Sequence, residues 1–255
     1  MSDNLPALPA PDIDREIDAL ARAALRANGP LMRLVNRLGG GIEQQLALLP
    51  PSLRAEVERV TAMALMGAHG LAGLGGEADG RGTMATVMAT GAAGGAGGLV
   101  TSVAELPVTI TVILRAIRAE AVKAGFDPNQ PGTRAACLEV FAAGSPLAAD
   151  DGINTSFLSA RLTLTGPALQ GLIATVAPRL AAALGQKLAA QAVPVLGAVS
   201  GAALNAAFLR YYREVARIRF ALMRLAVQHG AAPVAARFAK ATTAPRITTN
   251  GPQDT

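Results

Sequence analysis

Leu204-Asn205-Ala206-Ala207-Phe208-Leu209-Arg210-Tyr211-Tyr212-Arg213-Glu214-Val215-Ala216-Arg217-Ile218-Arg219-Phe220-Ala221-Leu222-Met223-Arg224-Leu225 is the run that decides how this chain folds. Within it Leu204, Phe208, Tyr211, Val215, Ile218, Leu222 and Leu225 recur at alternating spacings of four and three. At about 100° of turn per residue they line one stripe of a helix, and an apolar stripe of that length must face a partner surface. Arg210, Arg213, Arg217 and Arg224 fall on a second stripe, roughly 140° away. Just upstream, Gly197 and Gly201 form a GxxxG flanked by Ala198 and Ala202, a spacing that lets another backbone approach closely. Asn205 lies in this small-residue half. It is expected to be buried, with its amide hydrogen-bonding across a helix interface.

Outward from this helix the same economy of side-chain size continues. Gly82–Ala104 and Leu188–Leu209 carry no formal charge, and both are built from Gly and Ala more than from Leu or Phe. Each is long enough to cross a bilayer core, which takes about 20 residues, yet small side chains make a poor lipid-facing surface. The whole chain of 255 residues is 51% hydrophobic, 16% charged and 3% aromatic, with no Trp. The charged share lies below the usual quarter or so of soluble proteins. Alternating strand patterns are few, so the expected fold is all-α: a single multi-helix bundle with Gly/Ala-rich, tightly packed central helices.

Punctuation divides the chain into segments. Residues 1–11 and 242–255 are rich in Pro, Thr, Asn, Asp and Gly and are expected to be a flexible N-terminus and a disordered C-terminal tail around a helical domain over 12–241. Helices are expected at Asp14–Ala27, Leu31–Leu38, Ile42–Leu49, Leu53–Ala72, Leu99–Ala124 (stopped by Gly125), Thr133–Ala143, Thr155–Leu164, Pro167–Ala190 and from about Pro194 to His229. That makes about ten helices once the glycine-broken first stretch is included.

The residues that carry chemistry are sparse. His69 and His229 stand far apart and Cys137 is the single cysteine, so neither a metal site nor a disulfide framework is expected. Ser200 sits in Gly197-Ala198-Val199-Ser200-Gly201, which is not a GxSxG elbow, and Gly185-Gln186-Lys187 is followed by Leu188, which is not a P-loop. The cluster Gly94-Gly95-Ala96-Gly97-Gly98 lacks dinucleotide spacing. No catalytic residue, cofactor or metal is therefore assigned. The single cysteine and the absence of a basic, apolar leader fit a reducing cytoplasm. From Arg210 onward eight cations face two carboxylates, which makes that end basic. Without aromatic interleaving a nucleic-acid partner is not expected.

Several blocks in a fixed order resemble the EcsC protein family. They are Glu105-Leu106-Pro107-Val108-Thr109-Ile110-Thr111-Val112-Ile113-Leu114-Arg115-Ala116-Ile117, Cys137-Leu138-Glu139-Val140-Phe141-Ala142, Pro194-Val195-Leu196-Gly197-Ala198 and Asn205-Ala206-Ala207-Phe208, with Val215-Ala216-Arg217 and Phe220 in a last block. The resemblance runs from about Pro50 to Gly230. It implies a bacterial, largely helical protein of a family named for a product encoded beside an ABC-type exporter. No catalytic residues carry over.

Two kinds of contact residue follow. Glu105, which interrupts apolar sequence two residues before Pro107, is expected to be a buried polar group that caps a helix start by accepting backbone N–H groups, with Arg115 as a partner if the chain folds back. Arg115 and Arg118, with Glu120 and Lys123 nearby, read as a solvated helix end. Arg210, Arg213, Arg217 and Arg224 are the candidates for contact with an anionic membrane surface or a protein partner, and a solvated face with an Arg210–Glu214 pair is the alternative. The functional expectation is a non-enzymatic accessory protein on the inner face of the bacterial cytoplasmic membrane, assisting or regulating a transporter. The residues leave three alternatives open: an integral protein spanning through the two uncharged stretches, a soluble bundle holding a lipid or other small apolar ligand, and an enzyme built from Glu105, Glu139 and Asn205.

Overall fold

The long helix forms as its periodicity requires, and every residue of its apolar stripe, from Leu204 to Leu225, is buried. The computed structural model describes residues 13–27, 50–71, 103–142, 166–191 and 197–243. Among these, seven α-helices and one short 3₁₀ turn make up the regular structure, with no strand. They are α1 (Ile13–Arg26), α2 (Pro51–Leu71), α3 (Leu106–Lys123), α4 (Pro131–Glu139) with its 3₁₀ continuation Val140–Ala142, α5 (Gly166–Gln191), α6 (Gly197–His229) and α7 (Ala231–Thr243). The expected helices at Leu31–Leu38, Ile42–Leu49 and Thr155–Leu164, the expected N-terminal segment 1–11, and most of Gly82–Ala104 lie outside the described residues. Leu188–Leu209 is shared between two helices, because α5 ends at Gln191 and α6 begins at Gly197.

At 33 residues α6 is about 50 Å long and forms a wall of two separate cores. The larger core takes Leu204, Phe208, Tyr211, Tyr212 and Val215 from α6 and packs them with the inner faces of α2, α3, α4 and α5. α2 lies against α3 and α5, α3 against α4 and α6, and the 3₁₀ turn wedges between α5 and α6. The smaller core takes Ile218, Leu222 and Leu225, about one to three turns further on, and closes them under Ile17 and Leu20 of α1 and Val234 and Phe238 of α7. Alanine fills much of both cores, with Ala116, Ala121, Ala135, Ala177, Ala183 and Ala216 among the buried residues. Small side chains contribute little apolar area each, so the few rings matter more. Phe141, Phe208 and Tyr211 all pack on Tyr212, at centroid distances of 5.2, 6.3 and 5.2 Å, and Phe126 meets Phe220 at 5.7 Å. Such ring pairs add about 1 kcal/mol each beyond the area they bury.

Helix boundaries follow from proline and glycine. α2, α3 and α4 all carry a proline in the first turn (Pro51, Pro107 and Pro131), where the missing N–H has no intrahelical partner to lose. α3 ends in a Schellman motif. Gly125 adopts a φ of 87°, its N–H bonds Val122 O at 2.9 Å, and Phe126 N–H bonds Ala121 O at 3.0 Å. Gly230, at φ 88°, ends α6 in the same backbone region and turns the chain directly into α7. That last helix runs through 242 and 243, residues expected in the disordered tail. Its marks were present in the sequence as Gly230, then Pro233 in the first turn, then Val234 and Phe238 four apart on one face. Thr242 and Thr243 hydroxyls donate to the carbonyls of Phe238 and Ala239, which holds the final turn.

Glycine positions give a paired prediction of opposite sign. Gly125→Ala meets no steric obstacle but places a Cβ on a left-handed backbone, so it should cost about 1 kcal/mol. Gly171→Ala, on the open face of α5, should stabilise by about 0.5–1 kcal/mol. Urea unfolding of both variants beside the parent measures the two shifts.

Candidate functional site

Charged side chains reach inward from three helices and meet along α6. On α3 the buried stripe Leu106, Ile110, Ile113, Ile117 continues at the same four-three spacing to Glu120, which is 6% exposed. A carboxylate carried into a core by the register of its helix needs charged donors. Glu120 Oε1 accepts from Lys123 Nζ at 2.9 Å and from Arg213 Nη2 at 3.2 Å, so two of its donors come from its own helix and from α6. One turn along, Glu214 takes both donors of the Arg217 fork, Nε at 2.9 Å and Nη2 at 2.7 Å. This pair, with desolvation opposing it, raises the Arg217 pKa above its usual value.

A second, deeper pair joins α6 to α4. Arg219 is 8% exposed and donates to Glu139. Burial pushes the Arg219 guanidinium down from its usual value, and the Glu139 carboxylate works against that push. Between this pair and Arg118 lies Cys137, whose thiol burial pushes up to about 12, offset in part by both arginines. Arg118 itself donates to Asn129 Oδ1 at 3.0 Å in the loop ahead of α4. At the far end of α6, Arg224 donates to Glu16 of α1, and Arg237 of α7 lies 3.4 Å from Asp14.

The basic stripe read from the sequence is thus divided by its partners. Arg213 is pinned to Glu120, Arg217 to Glu214 and Arg224 to Glu16, while Arg210 is exposed and forms no ion pair among the described residues. The expected Arg210–Glu214 pair is replaced by Arg217–Glu214, which uses the fork geometry of one turn in the other direction. The expected solvated end of α3 is corrected at Glu120, because its stripe position carries it inward.

Glu105 is buried at the start of α3, but its side chain makes no capping bond. Its backbone is already helical, at φ −78° and ψ −17°, so the carboxylate is not aimed at the first-turn N–H groups. Arg115 is exposed ten residues further along the same helix, about 15 Å away, and cannot be its partner. Asn205 is fully buried in the larger core's wall. Glu139 is bound to Arg219, which lies fourteen residues, or about 21 Å along the axis, from Asn205. The structure therefore does not bring Glu139 and Asn205 together.

Sequence reasoning overlooked Arg219, Glu139 and Glu120 as structural charges. A signal existed for two of them: Glu120 extends an apolar stripe, and Arg219 points roughly 150° away from the other arginines. Glu139 had none, since its partner is eighty residues off.

Two predictions follow from these environments. Glu120→Gln should lower stability by about 1–2 kcal/mol by weakening the hold on Arg213, whereas exposed Arg210→Gln should leave the melting temperature unchanged. Cys137, buried and protonated at neutral pH, should resist a maleimide in the native protein and react fully in denaturant.

The sequence model of the EcsC protein family matches residues 77–225, more than half of the chain. The match takes in α3, α4, α5 and α6 as far as Leu225, while α1, α2 and α7 fall outside it. No curated protein and no solved structure matches.

Proposed function

The chain belongs to the EcsC protein family, and we propose that it acts as a non-enzymatic, membrane-associated accessory protein on the inner face of the bacterial cytoplasmic membrane. The observation that carries this reading is the exposed apolar strip of α5, opposite its buried face. Its inner face, Ile173, Val176, Leu180 and Leu184, is buried in the larger core. Its outer face carries an uncharged strip, Pro167, Gly171, Ala174 and Pro178 at spacings of four, three and four, flanked by exposed Gln170, Thr175 and Arg179. Arg179 is the single charged residue between Pro167 and Gly185, and only 44% of that window is buried in the protein. The exposed side thus joins a strip of small apolar residues to a polar edge, the layout of a helix that lies in a membrane interface. Met63 and Met66, exposed on α2, add apolar surface to the helix packed beside α5.

α5 is also, among the described residues, the one helix long and apolar enough to cross a bilayer. Lying in the interface suits it better, because its inner face already has a protein partner and Pro178 interrupts its hydrogen-bond ladder. A role beside an ABC-type transporter is the accessory function that the family resemblance implies.

Cell fractionation and vesicle flotation test this. The protein should sediment with membranes and be stripped by carbonate, which would leave a spanning helix in place. Ala174→Glu, on the exposed face, should preserve the melting temperature. It should cut recovery on floated vesicles at least about tenfold, since an acid carried into lipid costs on the order of 2 kcal/mol. Protein that stays wholly soluble under every condition would end the membrane reading.

A further inference from the structure

Beyond apolar contact, the seam between α3 and α6 holds a charge arrangement that its internal pairs do not balance. Lys123 and Arg213 meet at Glu120 and Arg217 is held by Glu214, while Arg210 is a further exposed cation on the same stripe. One buried oxygen, Glu120 Oε1, draws the α3 cation and an α6 cation to a single point, at 2.9 and 3.2 Å. Arg217 is held one turn away with both oxygens of Glu214 committed to it. Each arginine engages its carboxylate through Nε and Nη2, so the remaining N–H groups on Nη1 and Nη2 are spare among the described residues. Arg210 adds an exposed cation one turn before Arg213, on the same stripe.

We infer that Lys123, Arg210, Arg213 and Arg217 form a binding site for a phosphate group, with Glu120 and Glu214 as positioning residues beneath it. Carboxylates that clamp one edge of a guanidinium remove its rotamer freedom and leave the other donors oriented, which is the state that bidentate phosphate binding requires. The surplus of two positive charges matches a phosphate monoester, which carries about −1.5 to −2 at neutral pH. Arg224, drawn off to Glu16 two turns further along, is not part of the site. The phosphate is either a lipid headgroup or a free anion. This inference deepens the membrane reading by naming what the polar side of the contact recognises.

The test compares the full-length protein with Arg210→Gln/Arg217→Gln, two exposed positions whose loss leaves both cores intact. Flotation uses vesicles of phosphatidylcholine with and without phosphatidic acid, and thermal melts use added inorganic phosphate. The parent should bind phosphatidic acid vesicles about thirtyfold more tightly than the double variant, since each cation near an anionic surface contributes about fivefold. If inorganic phosphate also raises the melting temperature of the parent alone, the site takes the free anion; vesicle binding without that rise assigns it to the headgroup. Either result supports the site. Identical behaviour of parent and variant toward both probes overturns it. Binding of both proteins to neutral vesicles as tightly as to phosphatidic acid vesicles would retire phosphate recognition while leaving the apolar contact of α5 standing. A phosphate-dependent rise with no vesicle uptake would keep the site and remove the membrane reading.

Discussion

Burial of one helix stripe on two separate cores is the constraint from which the remaining architecture follows. The stripe from Leu204 to Leu225 finds different partners at its two ends: α3, α5 and the 3₁₀ turn for the first half, α1 and α7 for the second. Alanines are interspersed among the larger apolar residues around it, and a few rings around Tyr212 supply the bulk that alanine lacks. Packing of this kind leaves little tolerance for enlargement, since interiors are close-packed.

Charges inside the bundle serve register more than net stability. Replacing a buried pair by well-packed apolar groups is often neutral, whereas removing one partner is costly. Arg219 with Glu139 and Arg213 with Glu120 each join a different helix to α6, and each is satisfied only when α3 and α4 sit at one height along it. The arrangement selects one packing among the many that interchangeable alanine surfaces permit. It also leaves Lys123 and Arg217 partly exposed at the surface, so the features that fix the bundle border the face proposed to meet phosphate.

The family match ends at Leu225, inside the smaller core. The matched segment therefore includes the apolar stripe but not the two helices, α1 and α7, that cover its far end here. The ion pair Glu16–Arg224 ties α1 to α6 there, and Asp14–Arg237 ties α1 to α7. α1 and α7 thus finish in this chain what the shared segment leaves uncovered.

Local pattern was enough to read α1 to α6, though not α7, with the punctuation at Gly125 and the buried side of α6, because a four-three spacing and a left-handed glycine act within a few residues. It was enough, too, to single out Asn205 and Glu105 as polar residues in apolar surroundings. The tertiary structure alone decided which arginine meets which carboxylate. Glu120 and Arg213 are 93 residues apart and Glu16 and Arg224 are 208 apart, and no periodicity links segments so distant. It likewise decided that Glu105 caps nothing, since that depends on a backbone angle at one residue, and that α5 is covered on one side only. Helical periodicity is a property of adjacent turns, whereas pairing and exposure depend on which helices become neighbours.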